Sequence, residues 1–180
     1  PLNIERISVT FSVLKFETLA EEKKQNGIVS FSDVERLALT LLYDDVENEV
    51  LSDTAKTVSD SIKELYIDEY QDINPIQDMI FRSITSYDEN GHEKNRFMVG
   101  DIKQSIYRFR NANPYIFKNK YDNYAVENGG FKIDLVKNFR SRREVLSNIN
   151  EVFNLVMDDI IGGAEYHESH QMVYGNTAYI

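Results

Sequence analysis

The chain has 180 residues, of which 42% are hydrophobic and 28% are charged, and these proportions fit one globular domain with a sizeable core. It contains no cysteine, which excludes disulfides, Fe–S clusters and cysteine-based zinc sites. A net charge of -10 argues against a generic nucleic-acid binder, although Lys94 to Lys120 carries seven basic residues and one acidic residue. No apolar run approaches the roughly 20 residues that cross a membrane, and no secretory signal opens the chain, so we expect a cytoplasmic protein.

The first third of the chain, residues 1–63, reads as a helical region. Residues 4–25 have helical periodicity and end before Gly27, and a capping box at residues 32–35 predicts a helix through Tyr43. An acidic connection over residues 44–49 leads to a third helix, roughly residues 53–63.

Strands and helices alternate in the core region, residues 64–160. The predicted strands are Leu65 to Ile67, Phe97 to Val99 and Phe131 to Val136. Helices are predicted after Asn74-Pro75, after Asn113-Pro114 and from a capping box at Ser141 through Ile160, with a turn at Glu89 to Gly91. Residues 161–180 show no clear pattern. This alternation predicts a single α/β domain with a short parallel sheet flanked by helices.

Each predicted strand is followed by chemically active side chains. Asp68 and Glu69 follow the first strand, at the edge where open α/β sheets bind ligands. Adjacent carboxylates there can hold Mg²⁺ on a nucleotide and position an attacking water, although an acidic turn can also be merely solvated.

The second strand is followed by Gly100-Asp101 and then by polar, aromatic and basic residues. Gln104 can bond a phosphate oxygen or a water, and Tyr107, Phe109 and Arg110 can stack on unpaired bases. The alternative for the aromatic residues is a place in the core.

The third strand leads into Asn138-Phe139-Arg140-Ser141. An arginine at a strand end can stabilise charge that develops on a γ-phosphate. The alternative is an exposed surface arginine.

Together these segments resemble the UvrD/RecB group of superfamily-one DNA helicases. Residues 68–72 look like motif II, residues 100–110 like motif III and residues 138–141 like motif IV, in the same order. Within that group, residues 31–39 and 103–117 are similar to the A subunits of bacterial ATP-dependent helicase/nucleases, AddA or RexA. The resemblance covers roughly residues 27–175.

The resemblance implies a partial RecA-like P-loop NTPase fold. It implies that the parent protein hydrolyses ATP, with Mg²⁺, to translocate on DNA and unwind it in double-strand-break repair and recombination. Its implied partners are single-stranded DNA, duplex ends and a second helicase/nuclease subunit of the AddB or RexB type, with no membrane.

The resemblance also implies a role for each matched residue in nucleotide chemistry. Asp68 would coordinate Mg²⁺, and Glu69 would orient the water that attacks ATP. Gln104 would sense the γ-phosphate and couple it to DNA. Arg140 would reach the γ-phosphate, and Phe139 would stack on adenine.

For DNA, the resemblance implies that Tyr107 and Phe109 stack on single-stranded bases, with Arg110 beside them. Relatives often carry tryptophan where Phe109 stands and tyrosine where Phe139 stands. Both residues keep an aromatic face for stacking, but Phe109 lacks the larger area of an indole and Phe139 lacks the tyrosine hydroxyl.

A larger departure is the P-loop, which ends in Gly-Lys-Thr or Gly-Lys-Ser in such helicases. None of the eight glycines in this sequence is followed by lysine. We therefore expect a fragment of the first motor domain without the P-loop strand, to which no cofactor binds tightly, and whether it is itself an enzyme stays open. The motif III strand would then have an open edge, which we expect a rearranged local strand or a neighbouring molecule to fill.

Two other functions stay open at this point. One is a stand-alone single-stranded-DNA-binding module that uses residues 94–120 and has no ATPase activity. The other is a metal-dependent nuclease built on Asp101 and nearby carboxylates. A metal site at His167 and His170 is a weaker possibility, since no further ligands are evident.

Overall fold

In a computed structural model, the described residues are 21–124, 130–158, 166 and 171–175. They form two compact units, one through Ala55 and one from Lys56 onward. Short strands and helices share these units, which confirms the mixed α/β class in outline. None of the described helices is long and apolar enough to cross a membrane.

The first unit contains a helical segment, described from residue 21, that ends near Gly27 as predicted, and helix α1, Phe31–Leu42. Residues 4–20 of the predicted first helix lie outside the described residues. Gly27 has a φ of +63°, the left-handed conformation common after a helix end. The capping box of α1 is made by Ser30 and Asp33, so the predicted box at residues 32–35 is wrong. Lys23, which pairs with Asp33 at 2.8 Å, and then Ser30 hold the pKa of the Asp33 carboxyl well below its usual range.

A small hairpin follows α1, where the sequence predicts only an acidic connection. Strand β1, Tyr43–Asp45, pairs antiparallel with strand β2, Val50–Leu51. Asp45 Oδ1 accepts a hydrogen bond from the Asn48 amide at 3.0 Å, which turns the chain between the strands. Helix α2, Asp53–Ser61, begins where the Ser52 hydroxyl accepts the Ala55 amide at 3.1 Å.

The second unit is organised by two parallel strands, both expected from the sequence. Strand β3, Leu65–Ile67, pairs in parallel with strand β4, Arg96–Met98. Helix α3, Pro75–Ser83, lies between them in the chain, with Asn74 as its N-cap. A turn through Gly91, whose φ is +81°, then leads to β4. Among the described residues, β4 has no second strand partner, so a local strand that fills this edge is not found there.

The core of this unit lies directly beneath the segment that follows β3. Tyr70 is fully buried together with Ile67 and Ile73, and its ring lies 5.9 Å from that of Phe117. Phe117 belongs to helix α4, Pro114–Asn123, which is capped by Asn113 as predicted. The polypeptide segments after β3 and after β4 therefore share one support, helix α4.

A buried ionic cluster joins the approach to β4 to helix α4. Glu93 pairs with Arg96, whose side chain is 0% exposed, and with Lys120 at 3.4 Å. Burial by itself raises the pKa of Glu93, but the Tyr124 hydroxyl and the charges of Arg96 and Lys120 outweigh it and lower that pKa. Burial and repulsion by Arg96 lower the pKa of Lys120.

The predicted strand at residues 131–136 is wrong. These residues are irregular, and Phe131, Ile133 and Leu135 are exposed. The strand here is β5, Lys137–Asn138, which pairs in parallel with β6, Val173–Tyr174. Alternating apolar residues specify one face of a strand, but a strand also needs a hydrogen-bonded partner, and among the described residues no strand pairs with residues 131–135. The Val136 carbonyl accepts the Val173 amide at 2.8 Å, which leads directly into β5.

Helix α5, Arg143–Val156, follows β5 and begins without the predicted cap. Its N-cap is Arg142, which makes no capping hydrogen bond with its side chain. The side chain of Asn138 instead accepts the amides of Arg140 at 2.9 Å and Ser141 at 2.8 Å. This turn places Ser141 before the helix, so the predicted capping box at Ser141 is wrong.

Candidate functional site

Asp68 and Glu69 lie at the carboxyl end of β3, and both side chains are exposed. The Glu69 amide donates to Asp68 Oδ1 at 2.9 Å. Glu69 has a φ of +51°, a left-handed conformation that is uncommon for a residue with a side chain and that clusters at functional sites. The backbone thus turns sharply between the two carboxylates.

The segment after β4 forms a 3₁₀ turn at the neighbouring strand end. The Asp101 carboxylate accepts the Lys103 amide at 3.0 Å and the Gln104 side-chain amide at 3.1 Å. Lys103 Nζ lies 3.0 Å from the same carboxylate. Asp101 is therefore committed to local partners, which gives no support to a nuclease built on it, while Gln104 stays exposed.

One buried side chain connects these two loops, and the sequence gives no expectation of it. Gln71 is 1% exposed, and its Nε2 donates to Glu69 Oε2 at 2.7 Å and to Asp72 Oδ2 at 3.3 Å. Its Oε1 accepts the Asp101 amide at 3.0 Å. The predicted residues of motifs II and III are thereby brought together, with Glu69 at one end of the link and Gln104 at the other.

The aromatic and basic residues after the 3₁₀ turn form an exposed platform. The rings of Tyr107 and Phe109 lie 5.8 Å apart, and the Arg110 guanidinium lies 5.2 Å from the first ring centroid and 5.6 Å from the second. Phe109 is 77% exposed, so the alternative that it belongs to the core is wrong. Exposed rings with an arginine beside them suit stacking on unpaired bases.

Phe139 and Arg140 follow β5, which belongs to a different two-stranded sheet from β3 and β4. Both are exposed, and Phe139 lies against Gly175, where an added Cβ would come within 2.8 Å of its ring. Strand pairing within the described residues does not link these two residues to Asp68 and Glu69. Their predicted part in a nucleotide site stays a prediction.

The described residues contain no group of three or more His, Cys, Asp or Glu side chains arranged to hold a metal ion. The predicted pair His167 and His170 lies outside them. Asp68 nevertheless fits a magnesium ion that is bound mainly by substrate phosphates, because Mg²⁺ favours oxygen ligands and often takes only one or two from the protein.

A family profile described as UvrD/REP helicase N-terminal domain matches residues 8–125. Among curated relatives, the A subunit of the ATP-dependent helicase/nuclease from Exiguobacterium sibiricum is 44% identical over 160 residues, or 89% of this chain. The proteins of the same name from Listeria monocytogenes and Clostridioides difficile are 46% and 44% identical, each over 91% of this chain. The chain spans 13% of the length of each of these three relatives.

Proposed function

Because the chain belongs to the UvrD/REP helicase N-terminal domain family, we propose that it is a segment of the first motor domain of an ATP-dependent DNA helicase. The parent protein would be the A subunit of a helicase/nuclease that acts in double-strand-break repair and recombination, in the cytoplasm. Its fold would be that of a RecA-like domain, and its partners would be single-stranded DNA, duplex ends and a second subunit of the AddB or RexB type.

The observation that carries this proposal is the link from Glu69 through Gln71 to the turn that holds Gln104. A motor must connect the group that orients the attacking water to the group that senses the γ-phosphate. Neighbouring parallel strands place both loops at one sheet edge, which is where α/β folds bind nucleotides.

The proposed roles at that edge follow from the chemistry of each side chain. Asp68 would hold Mg²⁺, which would supply positive charge to offset that of the phosphates. Glu69 would orient and deprotonate water, and Gln104 would donate to the γ-phosphate. Arg140 would add positive charge at that phosphate, and Phe139 would stack on adenine.

The exposed platform would contact the DNA. Tyr107 and Phe109 would stack on successive bases, while Arg110 would add a cation–π contact and attract the phosphate backbone. This surface lies a few residues after Gln104, so movement of that turn on ATP binding would reach the DNA directly.

The sharpest test is Glu69→Gln in a full-length AddA-type protein that carries this segment. The change keeps size and polarity but removes the charge that orients water, so we expect ATP hydrolysis to be abolished while ATP binding persists. Glu89→Gln, an exposed glutamate in the turn before β4, is the matched control and should hydrolyse ATP normally. Wild-type unwinding by the Glu69→Gln protein would show that the motif II assignment is wrong.

A second candidate is a single-stranded-DNA-binding module without ATPase activity. The platform at Tyr107 and Phe109 favours it, since such a surface can bind DNA by itself. Salt-dependent binding of single-stranded DNA by the chain, combined with a full-length protein that hydrolyses no ATP, would decide for this alternative.

A further inference from the structure

We infer that Gln71 is a positioning residue: its side-chain amide holds Glu69 in place and ties it to the turn that carries Gln104. This inference rests on the proposed function, because it assigns a task to Gln71 within the same site. Gln71 would not touch the nucleotide itself but would act through Glu69 and Asp101.

The hydrogen-bonding capacity of the Gln71 side chain is directed to these loops. Its amide nitrogen, which has two N–H groups, donates to the carboxylates of Glu69 and Asp72, and its oxygen accepts the Asp101 amide. With 1% of the residue exposed, water has little access to compete for these contacts. A buried and committed amide of this kind fixes the position of whatever it binds.

The packing around Gln71 is built to admit this side chain. A Cβ on Gly100 would lie 2.7 Å from Gln71 Oε1 and 3.1 Å from the Phe117 ring, so only glycine leaves room there. The backbone on both sides adds to the link: the Tyr70 amide donates to the Val99 carbonyl at 2.9 Å, and the Ser105 hydroxyl donates to the Gln71 carbonyl at 3.3 Å.

Glu69 has a specific need for such a partner. Its backbone is left-handed and its side chain is exposed, so without a donor its carboxylate would sample several rotamers. The bond of 2.7 Å from Gln71 Nε2 to Glu69 Oε2 supplies that donor. On the other side of Gln71, the Asp101 carboxylate accepts the Gln104 side-chain amide. The side-chain amide of Gln71 therefore connects Glu69 to Gln104 through Asp101.

The test compares two variants of nearly unchanged volume in a full-length AddA-type protein that carries this segment. Gln71→Met removes the donor and the acceptor, whereas Gln71→Glu keeps an oxygen for the Asp101 amide, removes the donor and adds a carboxyl beside those of Glu69 and Asp72. We expect both to lower kcat for DNA-stimulated ATP hydrolysis by about 10- to 100-fold, the usual cost of losing a supporting partner. The KM for ATP and the affinity for single-stranded DNA should not change.

The matched control is Gln77→Glu, which makes the same chemical change in the cap of α3, where the side-chain oxygen accepts the Asn74 amide at 3.2 Å. This variant should keep the wild-type kcat. If Gln71→Met or Gln71→Glu does not fold, Gly100→Ala displaces the same side chain without altering its chemistry, and the same loss of kcat is expected.

A folded Gln71→Glu protein with wild-type kcat would overturn the inference, because the Asp101 contact alone would then suffice. A rise in KM at unchanged kcat would overturn it as well, since the residue would then serve nucleotide binding. Glu69→Gln separates the two levels. If Glu69→Gln abolishes hydrolysis while the Gln71 variants do not, only the role of Gln71 is wrong; if Glu69→Gln is active, the proposed function itself fails.

Discussion

At the scale of single residues, exposure separates two roles of an aromatic side chain, core packing and ligand binding, and Phe109 is an example. The same residue type at position 117 packs against the buried Tyr70, whereas Phe109 is 77% exposed beside Tyr107 and Arg110. An exposed ring contributes little to the free energy of unfolding but offers a face to a base. Mutating each phenylalanine should therefore affect a different property of the protein.

We predict that Phe109→Ala in the full-length protein weakens binding of single-stranded DNA by about 1–3 kcal/mol, the value of one base–aromatic stack. Its thermal melting should stay close to wild type. Phe117→Ala should instead lower the free energy of unfolding by up to about 3–5 kcal/mol, the range for a core phenylalanine, because Phe117 packs partly buried against Tyr70. A large melting loss in Phe109→Ala, with unchanged DNA affinity, would contradict the proposed platform.

Gln71 also shows what the sequence could not supply at this scale. Asp68, Glu69 and Gln104 can be singled out because each follows an apolar run that predicts a strand. The partner of Gln71 Oε1 is the Asp101 amide, 30 positions further along the chain, and no local pattern reports a contact over that separation. The sequence does not predict the role of Gly100 for the same reason, since Gly100 makes room for the Gln71 side chain from another loop.

At the scale of elements, the buried cluster of Glu93, Arg96 and Lys120 fastens β4 to helix α4. We predict that Glu93→Gln lowers the free energy of unfolding by about 3–5 kcal/mol, because it leaves the fully buried Arg96 guanidinium without its carboxylate. Urea unfolding at neutral pH measures the loss. Glu89→Gln, in the exposed turn, should unfold like wild type.

The same cluster predicts a dependence of stability on pH. The pKa of Glu93 is lower in the folded chain than its ordinary value of 4.5, so its contribution is complete above that value and is lost as the pH falls through the folded pKa. Melting followed below pH 4.5 should therefore show a shallower acid-induced loss in Glu93→Gln than in wild type. Parallel acid profiles for the two proteins would contradict this assignment.

A helix or strand could be predicted from the sequence where neighbouring residues determine it. Strands β3 and β4 are short apolar runs bounded by polar turns, and the helices after Asn74 and Asn113 begin with an asparagine cap and a proline, so all four are readable. The error at residues 131–136 arises because pairing is not local. The two capping boxes are misplaced because the Ser-x-x-Glu pattern alone does not locate the helix start: Ser30 caps α1 at the Asp33 amide, and Asn138 binds the Ser141 amide in the turn before α5.

At the scale of the whole molecule, the sequence contains segments that resemble motif II and motif III but no Gly-Lys phosphate loop. We predict that the chain alone has no significant ATPase activity, because the backbone amides and lysine that normally cradle the phosphates are missing from its sequence. A steady-state assay with Mg²⁺ and single-stranded DNA tests this. Turnover at about 1 per second or faster, the ordinary range of enzymes, would contradict it.

The irregular segment at residues 131–136 has a consequence for proteolysis. Phe131 and Leu135 are 74% and 79% exposed, and chymotrypsin accepts such apolar side chains in its hydrophobic slot. Cleavage after Phe81 or Phe117 requires the core around Tyr70 to open first. Brief digestion should therefore cut after Phe131 or Leu135 before it cuts after Phe81 or Phe117, as read by mass spectrometry. Early cuts after Phe81 or Phe117 would contradict this order.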